Sequence, residues 1–212
     1  MILVTAATKW EAEPLSRLTR VQLVRTGIGP TSARAAMEKI DLKDSGPLIV
    51  VSSGLAGALQ PGIKSGDLVA DVREAPIEFV QSMRATAERL RLPLHMGVFA
   101  AVDRVANAAE KRELGAKRMV AVDMESGALR DWTRARGGTF LAIRAVLDEL
   151  DEEVPGDAPG DGALETLQFA ARHWRKLPKL AALGLRQARA MRRLSAFLAD
   201  WLASIEVRDE GR

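Results

Sequence analysis

The chain predicts an α/β fold with a mostly parallel or mixed sheet. Three observations carry that expectation. Short apolar runs of strand length alternate with segments of helical periodicity along the chain. The strand runs are nearly unbroken in apolar character, as in buried central strands. Small or turn-forming residues follow several of them, where ligands gather at the carboxyl ends of strands.

Ile2 to Ala6 is read as a first central strand. Thr8 caps a helix from about Lys9 to Leu18, with Glu11 in its first turn. Val21 to Arg25 is a second strand, and Thr26-Gly27-Ile28-Gly29 a tight turn with Pro30 at the first helical position. The helix continues over Thr31 to Ile40, with Ala33, Ala36, Met37 and Ile40 pointing inward. Leu48 to Ser52 is a third strand, running into Ser53-Gly54-Leu55-Ala56-Gly57-Ala58, whose small residues let backbone amides approach a ligand. Strands follow over Leu68 to Val72 and Gly97 to Val102, the second leading to Asp103, and helices over Pro76 to Leu92 and Ala108 to Leu114.

The stretch Met119 to Asp148 carries most of the chemistry. An apolar run, Met119 to Val122, precedes Asp123 and Glu125. A helix with Ala128, Leu129 and Trp132 on one face ends at Arg136-Gly137-Gly138. Thr139 to Val146 is a strand leading to Asp148. This spacing predicts a βαβ unit with parallel strands, and two acids, Glu125 and Asp148, facing one crevice. Read singly, each acid has a plainer explanation. Glu11 and Glu125 suit helix first turns, and Asp148 opens an acidic run through Glu153 of the kind that forms a solvated face.

Composition narrows the function. With 212 residues, 47% of them hydrophobic, the chain can bury a core as one domain. It has no Cys, so disulfides and Cys-based metal sites are excluded and a cytoplasmic location is expected. His95 and His173 are far apart and form no metal-ligand cluster, so neither metal nor cofactor is expected. No secretory leader and no bilayer-spanning run is visible. A formal charge of only +3 argues against a nucleic-acid binder. Gly27-Ile28-Gly29 has Ser32 at the third position of a dinucleotide fingerprint, which excludes that reading.

Val122-Asp123-Met124-Glu125-Ser126 resembles the V-D/E-M-E motif of the nucleoside phosphorylase and nucleosidase superfamily. Arg144-Ala145-Val146-Leu147-Asp148 resembles its R-A-I-S-D motif, and Ser53 to Ala58 followed by Gly66-Asp67 its G-S-A-G-G…G-D segment. Ala6 to Leu15 is similar to the start of futalosine hydrolases and, more distantly, of methylthioadenosine/S-adenosylhomocysteine nucleosidases. Val102-Asp103-Arg104-Val105 with Glu110-Lys111, and the tail around Leu177 to Leu194, look most like the hopanoid-associated branch.

The resemblance implies a three-layer α/β/α domain over residues 1–212, with a central mixed, mostly parallel twisted sheet, a surface loop at 152–162 and a C-terminal helical tail at 163–207. It implies an N-ribosyl hydrolase acting on a purine nucleoside, with phosphorolysis or non-catalytic nucleoside binding as alternatives. Asp148 matches the acid that protonates the leaving base, and Glu11 the carboxylate that handles the attacking water. Glu125 matches the acceptor of ribose hydroxyl bonds, and Met124 packs under the ribose. Val105 and Asp103, and the loop residues Gly54, Leu55, Ala56 and Gly57, complete the implied binding set.

Several positions depart from the family pattern. Ser52 and Leu55 stand where phosphorylases carry a phosphate-binding Arg and Ser, which favours hydrolysis; Arg25 or a neighbouring subunit remain alternative phosphate partners. Leu147 replaces the Ser before the acid, so the acid's orienting hydrogen bond must differ. Val105 replaces a base-stacking Phe, and the segment after Asp67 is short, which together count against adenine as the base and suggest a more open 5′ side. The resemblance to the hopanoid-associated branch implies instead an adenosine-type, adenosylhopane-like nucleoside with a large apolar 5′ group.

A homodimer is expected from the resemblance. The tail carries Arg172, Arg175, Lys176, Lys179, Arg186, Arg189, Arg192 and Arg193 without an intervening acid, beside an apolar stripe of Leu177, Leu180, Leu183, Leu194, Phe197, Leu198 and Trp201. Packing of that stripe on the sheet is the plainer expectation; peripheral contact with anionic lipid is the sharper one.

Overall fold

The computed structural model describes residues 1–42, 46–154 and 177–209. In chain order the elements are β1 (Ile2–Ala6), α1 (Lys9–Leu15), β2 (Gln22–Arg25), α2 (Pro30–Met37), β3 (Ile49–Ala58), β4 (Leu68–Asp71), α3 (Ile77–Leu90), β5 (Leu94–Met96), β6 (Phe99–Ala101), α4 (Ala108–Ala116), β7 (Ala121–Asp123), α5 (Ser126–Arg134), β8 (Thr139–Asp148) and α6 (Leu177–Asp209). Among the described residues the strands form one sheet in the order β2-β1-β3-β8-β4-β5, with β7 on the far part of β3 and β6 beside β7. The pairs β1–β2, β1–β3, β3–β8, β4–β5 and β6–β7 are parallel, while β3–β7 and β4–β8 are antiparallel.

Side-chain alternation along the central strands sorts the core into two layers. Val4, Val51, Leu141 and Ile143 face α1, α3 and α6, where Leu15, Met83, Leu194, Phe197 and Trp201 pack against them. Their neighbours Leu3, Val50, Phe140 and Ala142 face α2 and α5, meeting Met37, Leu129 and Trp132. This is the expected three-layer arrangement. The tail follows the plainer expectation: Leu194, Phe197, Leu198 and Trp201 are fully buried, and the Trp201 indole donates to Ser82 Oγ at 2.9 Å. Helix α6 begins at Leu177 and carries Pro178 in its first turn. Arg172, Arg175 and Lys176, and most of the expected loop at 152–162, lie outside the described residues, as do the side chains of Leu177, Lys179 and Leu180.

Three expectations need correction. Strands β7 and β8 are not parallel partners. They lie on opposite sides of β3, β7 antiparallel to it and β8 parallel, so they run in opposite senses. Composition alone cannot give a three-residue strand its direction; here the long β3 decides it by offering an open edge beyond β1. The small-residue run Ser53 to Ala58 is not a loop but the second half of β3. A buried strand with partners on both sides tolerates small residues where side chains from other elements must fit. Finally, β5 was not anticipated, because Leu94-His95-Met96 is too short and irregular a pattern to read.

Candidate active site

Glu11 is placed by the start of α1. A reciprocal cap joins Thr8 and Glu11: Glu11 N donates to Thr8 Oγ1, and Thr8 N donates back to Glu11 Oε2 at 3.0 Å. The plain first-turn role is therefore real. Yet the side chain is 6% exposed and turned inward. Its Oε1 accepts from Leu55 N at 2.9 Å, across to the middle of β3. The approach requires Gly54, which sits at φ 135°. A Cβ there would lie 2.5 Å from Glu11 Oε1 and 2.9 Å from Arg144 Nη1.

Arg144 is the buried cation of this cluster, 1% exposed on β8. Its Nη2 donates to Ser52 Oγ at 2.9 Å and, more loosely, to Glu125 Oε2 at 3.4 Å. Its Nη1 donates to Ser53 O and Leu55 O, both at 3.3 Å. Its Nε lies 2.6 Å from Asp123 Oδ2, a charge contact without hydrogen-bond alignment. Asp123 Oδ1 in turn accepts from Ser126 at the start of α5. Glu125 Oε1 accepts from Gly29 N at 2.8 Å, which brings the turn after β2 into the same site. Met124 reaches that turn too, its Cε 3.9 Å from a Cβ built on Gly29. Burial pushes the Glu125 carboxyl above its ordinary range, against the pull of Arg144 and the Gly29 amide.

Asp148 ends β8 and is 7% exposed. The pairing between β3 and β8 slips here: Ala56 faces Val146, but Gly57 faces Asp148, so Leu147 is the extra residue of a β-bulge. In an unbroken ladder Leu147 would occupy that place and Asp148 would turn to the other face. The bulge instead sets the carboxyl over Gly57, whose added Cβ would lie 3.2 Å from Asp148 Oδ2. Burial raises the Asp148 carboxyl above its usual range, and the ammonium of Lys111, 2.6 Å away, opposes that rise.

Glu11, Glu125, Gly54, Leu55 and, through Gly29, Met124 thus share one contact cluster, whereas Gly57 and Asp148 sit three residues further along β3. That is about 10 Å at the rise of an extended strand. Ala56 is buried between the two groups. Asp103 and Val105 are not gathered into the cluster; both are exposed on the segment between β6 and α4, Val105 at 38%.

A family model described as the phosphorylase superfamily matches residues 15–73 and 70–183 of this chain. The chain belongs to the phosphorylase superfamily. Solved structures with the same fold include futalosine hydrolase of Helicobacter pylori strain 26695, 16% identical, with a TM-score of 0.70 over 96% of this chain and 97% of that one. A 5′-methylthioadenosine/S-adenosylhomocysteine nucleosidase from Neisseria meningitidis, in complex with methylthio-immucillin-A, is 17% identical, with a TM-score of 0.68 over 96% and 98% of the two chains. A putative nucleosidase of the same kind from Borrelia burgdorferi, bound to adenine, is 16% identical, with a TM-score of 0.64 over 93% and 99%.

As a phosphorylase-superfamily chain, the protein has two residues at its site whose importance sequence reasoning missed. Arg144 was visible only as a letter of a motif, with nothing to show that five acceptors would converge on it. Lys111 lies in a polar helix and had no periodic signal at all. The acidic run after Asp148 is the solvated face its plain reading expects, and its acids are paired there. Glu149 pairs with Lys64 at 2.7 Å, Asp151 with Arg112 at 2.7 Å and Glu152 with Arg186 at 2.9 Å, while Glu153 accepts from Ala108 N.

Proposed function

We propose that this phosphorylase-superfamily chain is a nucleosidase that hydrolyses the N-ribosidic bond of a purine nucleoside. The observation that carries the reading is the division of the site into two acidic ends along β3. One end holds Glu11 and Glu125, bound together through Leu55 N, Gly54 and Arg144. The other holds Asp148, a carboxyl that burial predisposes to keep its proton.

In this reading Asp148 gives its proton to the leaving base as the C1′–N bond breaks and the electron pair goes to the base. Glu125 accepts from the ribose hydroxyls and stabilises the positive charge that develops on the sugar. Water adds to C1′, and its proton passes to Glu11. Water is favoured over phosphate because the four Nη N–H groups of Arg144 are taken by Ser53 O, Leu55 O, Ser52 Oγ and Glu125, and its Nε lies in charge contact with Asp123. A phosphate dianion entering there would meet Glu11, Asp123 and Glu125, and Arg144 would have to give up protein acceptors to receive it.

The finer reading is an adenosine-type nucleoside with an apolar 5′ group, an adenosylhopane-like nucleoside being the extreme case. Its support is the exposed apolar side chains next to site residues: Trp10 beside Glu11 at 61% exposure and Ile28 beside Gly29 at 51%, with Val105 beyond. The same surface suits a homodimer, with residues 1–212 as one catalytic unit in the cytoplasm. Peripheral lipid contact would use exposed Arg189 and Arg192 with Leu185 on α6. Among the described residues no helix is long and apolar enough to cross a membrane.

Incubation of purified protein with methylthioadenosine, adenosine and 5′-alkyl adenosines, with and without phosphate, tests the proposal. Free base and free ribose, formed at the same rate without phosphate, are expected. Ribose 1-phosphate appearing only with phosphate would make the chain a phosphorylase, and no cleavage of any nucleoside would leave it a binding protein.

A further inference from the structure

Helix α4 buries one residue among the described ones, and it is a lysine. Lys111 is 1% exposed. Its ammonium donates to Asp148 Oδ2 at 2.6 Å, to Glu152 O at 3.0 Å and to Glu149 O. A tetrahedral ammonium has three N–H groups, and these acceptors use all three. Lys111 therefore has nothing left to offer a substrate. A methionine would fill the same space without the several kcal/mol that desolvating an ion costs. The charge must be accounted for by what it holds.

It holds the acid. Leu147 precedes Asp148 and has no side-chain donor, and the bulge at Leu147 leaves the carboxyl projecting over Gly57. Among the described residues Oδ1 accepts no hydrogen bond, while Oδ2 is taken by Lys111. The two carbonyls on the same ammonium belong to the turn that follows the acid, itself closed by Glu152 N donating to Glu149 O at 3.0 Å. The capping box of Asn107 and Glu110 fixes the start of α4, and Glu110 directly precedes Lys111. Acid, turn and helix are thus fastened at one point.

We propose that Lys111 is the positioning residue of the general acid, anchoring Asp148 through Oδ2 so that Oδ1 carries the proton to the leaving base. This rests on the nucleosidase reading. When the C1′–N bond breaks, the proton leaves Oδ1 for the base nitrogen, and Asp148 becomes a carboxylate whose counter-charge is already in place. Lys111 keeps its contact with Oδ2 throughout. Solvent returns the proton to Oδ1 before the next turnover.

The test uses K111M and K111Q beside D148N, each checked for folding by circular dichroism and thermal melting. With a purine nucleoside, K111M should lose about 10- to 100-fold in kcat, a part of the 10²- to 10⁴-fold that general acid catalysis supplies, with little change in KM. Its kcat/KM should hold to higher pH than the parent's, because removing the ammonium lets Asp148 keep its proton longer. With 4-nitrophenyl riboside, whose leaving group needs no proton, K111M and D148N should both run near the parent rate. Adding K111M to D148N should cost nothing further. K111Q keeps one neutral donor and should fall between parent and K111M; it also serves if K111M does not fold. Equal losses on both substrates, or parent-like kcat and pH profile in a folded variant, would overturn the proposal. Parent-like activity of D148N on nucleosides would instead overturn the acid role of Asp148 itself.

Discussion

Arg144 is held by two carboxylates, a hydroxyl and two carbonyls. Removing it leaves Asp123 and Glu125 buried without a counter-charge. R144Q should therefore lose about 3–5 kcal/mol of stability at neutral pH, measured by urea unfolding; a loss under 1 kcal/mol would show that the site relaxes to admit water. Glu125 gives a pH signature. Its folded-state pKa is raised, by burial first, so the folded chain binds its proton more tightly than the unfolded chain. Its stabilising contribution is full below the ordinary carboxylate range and is lost as pH rises through the raised value. E125Q does not titrate there. The Tm of E125Q minus that of the parent should become more positive from pH 4 to pH 8, and a flat difference would mean that Glu125 has its unfolded-state affinity for protons.

At the scale of elements, β3 is the strand that joins the two acidic ends. It has β1 and then β7 along one edge and β8 along the other. Gly54 is where Glu11 and Arg144 both press against it. G54A places a Cβ 2.5 Å from Glu11 Oε1 at a φ of 135°, which the Glu11 carboxylate escapes by turning away from Leu55 N or which α1 or the strand must shift to relieve. The variant should lose more than about 100-fold in kcat/KM, in line with the sensitivity of catalysis to misplacements near 1 Å. Activity within threefold of the parent would show that Glu11 does not need its contact with Leu55 N. The strand also shows where reading the chain fell short. The run Ser53 to Ala58 looked like a ligand loop because its residues are small; they are small because other side chains pack onto a strand. The direction of β7 was misjudged because alternation of strand and helix gives order, not edge.

At the scale of the molecule, α6 closes the layer over α1 and α3. Trp201 is fully buried, stacked edge-on against Phe79 with ring centres 6.0 Å apart. W201A should cost about 3–5 kcal/mol, seen as a lower urea midpoint in a cooperative transition. A loss below 1 kcal/mol would mean that the tail is not part of the folding unit. Arg186, on the same helix, grips Glu152 in the turn after Asp148. The tail thus bears on the site as well as on the core, through an ion pair whose side chains are 36% and 41% exposed.

The sequence by itself determined the α/β class, most strands and helices, the cap at Thr8 and the three acids, because these depend on local periodicity and on short motifs. Through the resemblance it also pointed to a different orienting hydrogen bond for Asp148, since Leu147 stands where the family carries Ser. Only the tertiary structure decided how that need is met, since Lys111 and Asp148 lie 37 residues apart and join through a single 2.6 Å contact. The same holds for the bulge that turns Asp148 toward Gly57, for the five acceptors around Arg144 and for the pairing of the acidic run. Each depends on which elements pack side by side. A chain read in order carries the residues of such contacts but not their distances.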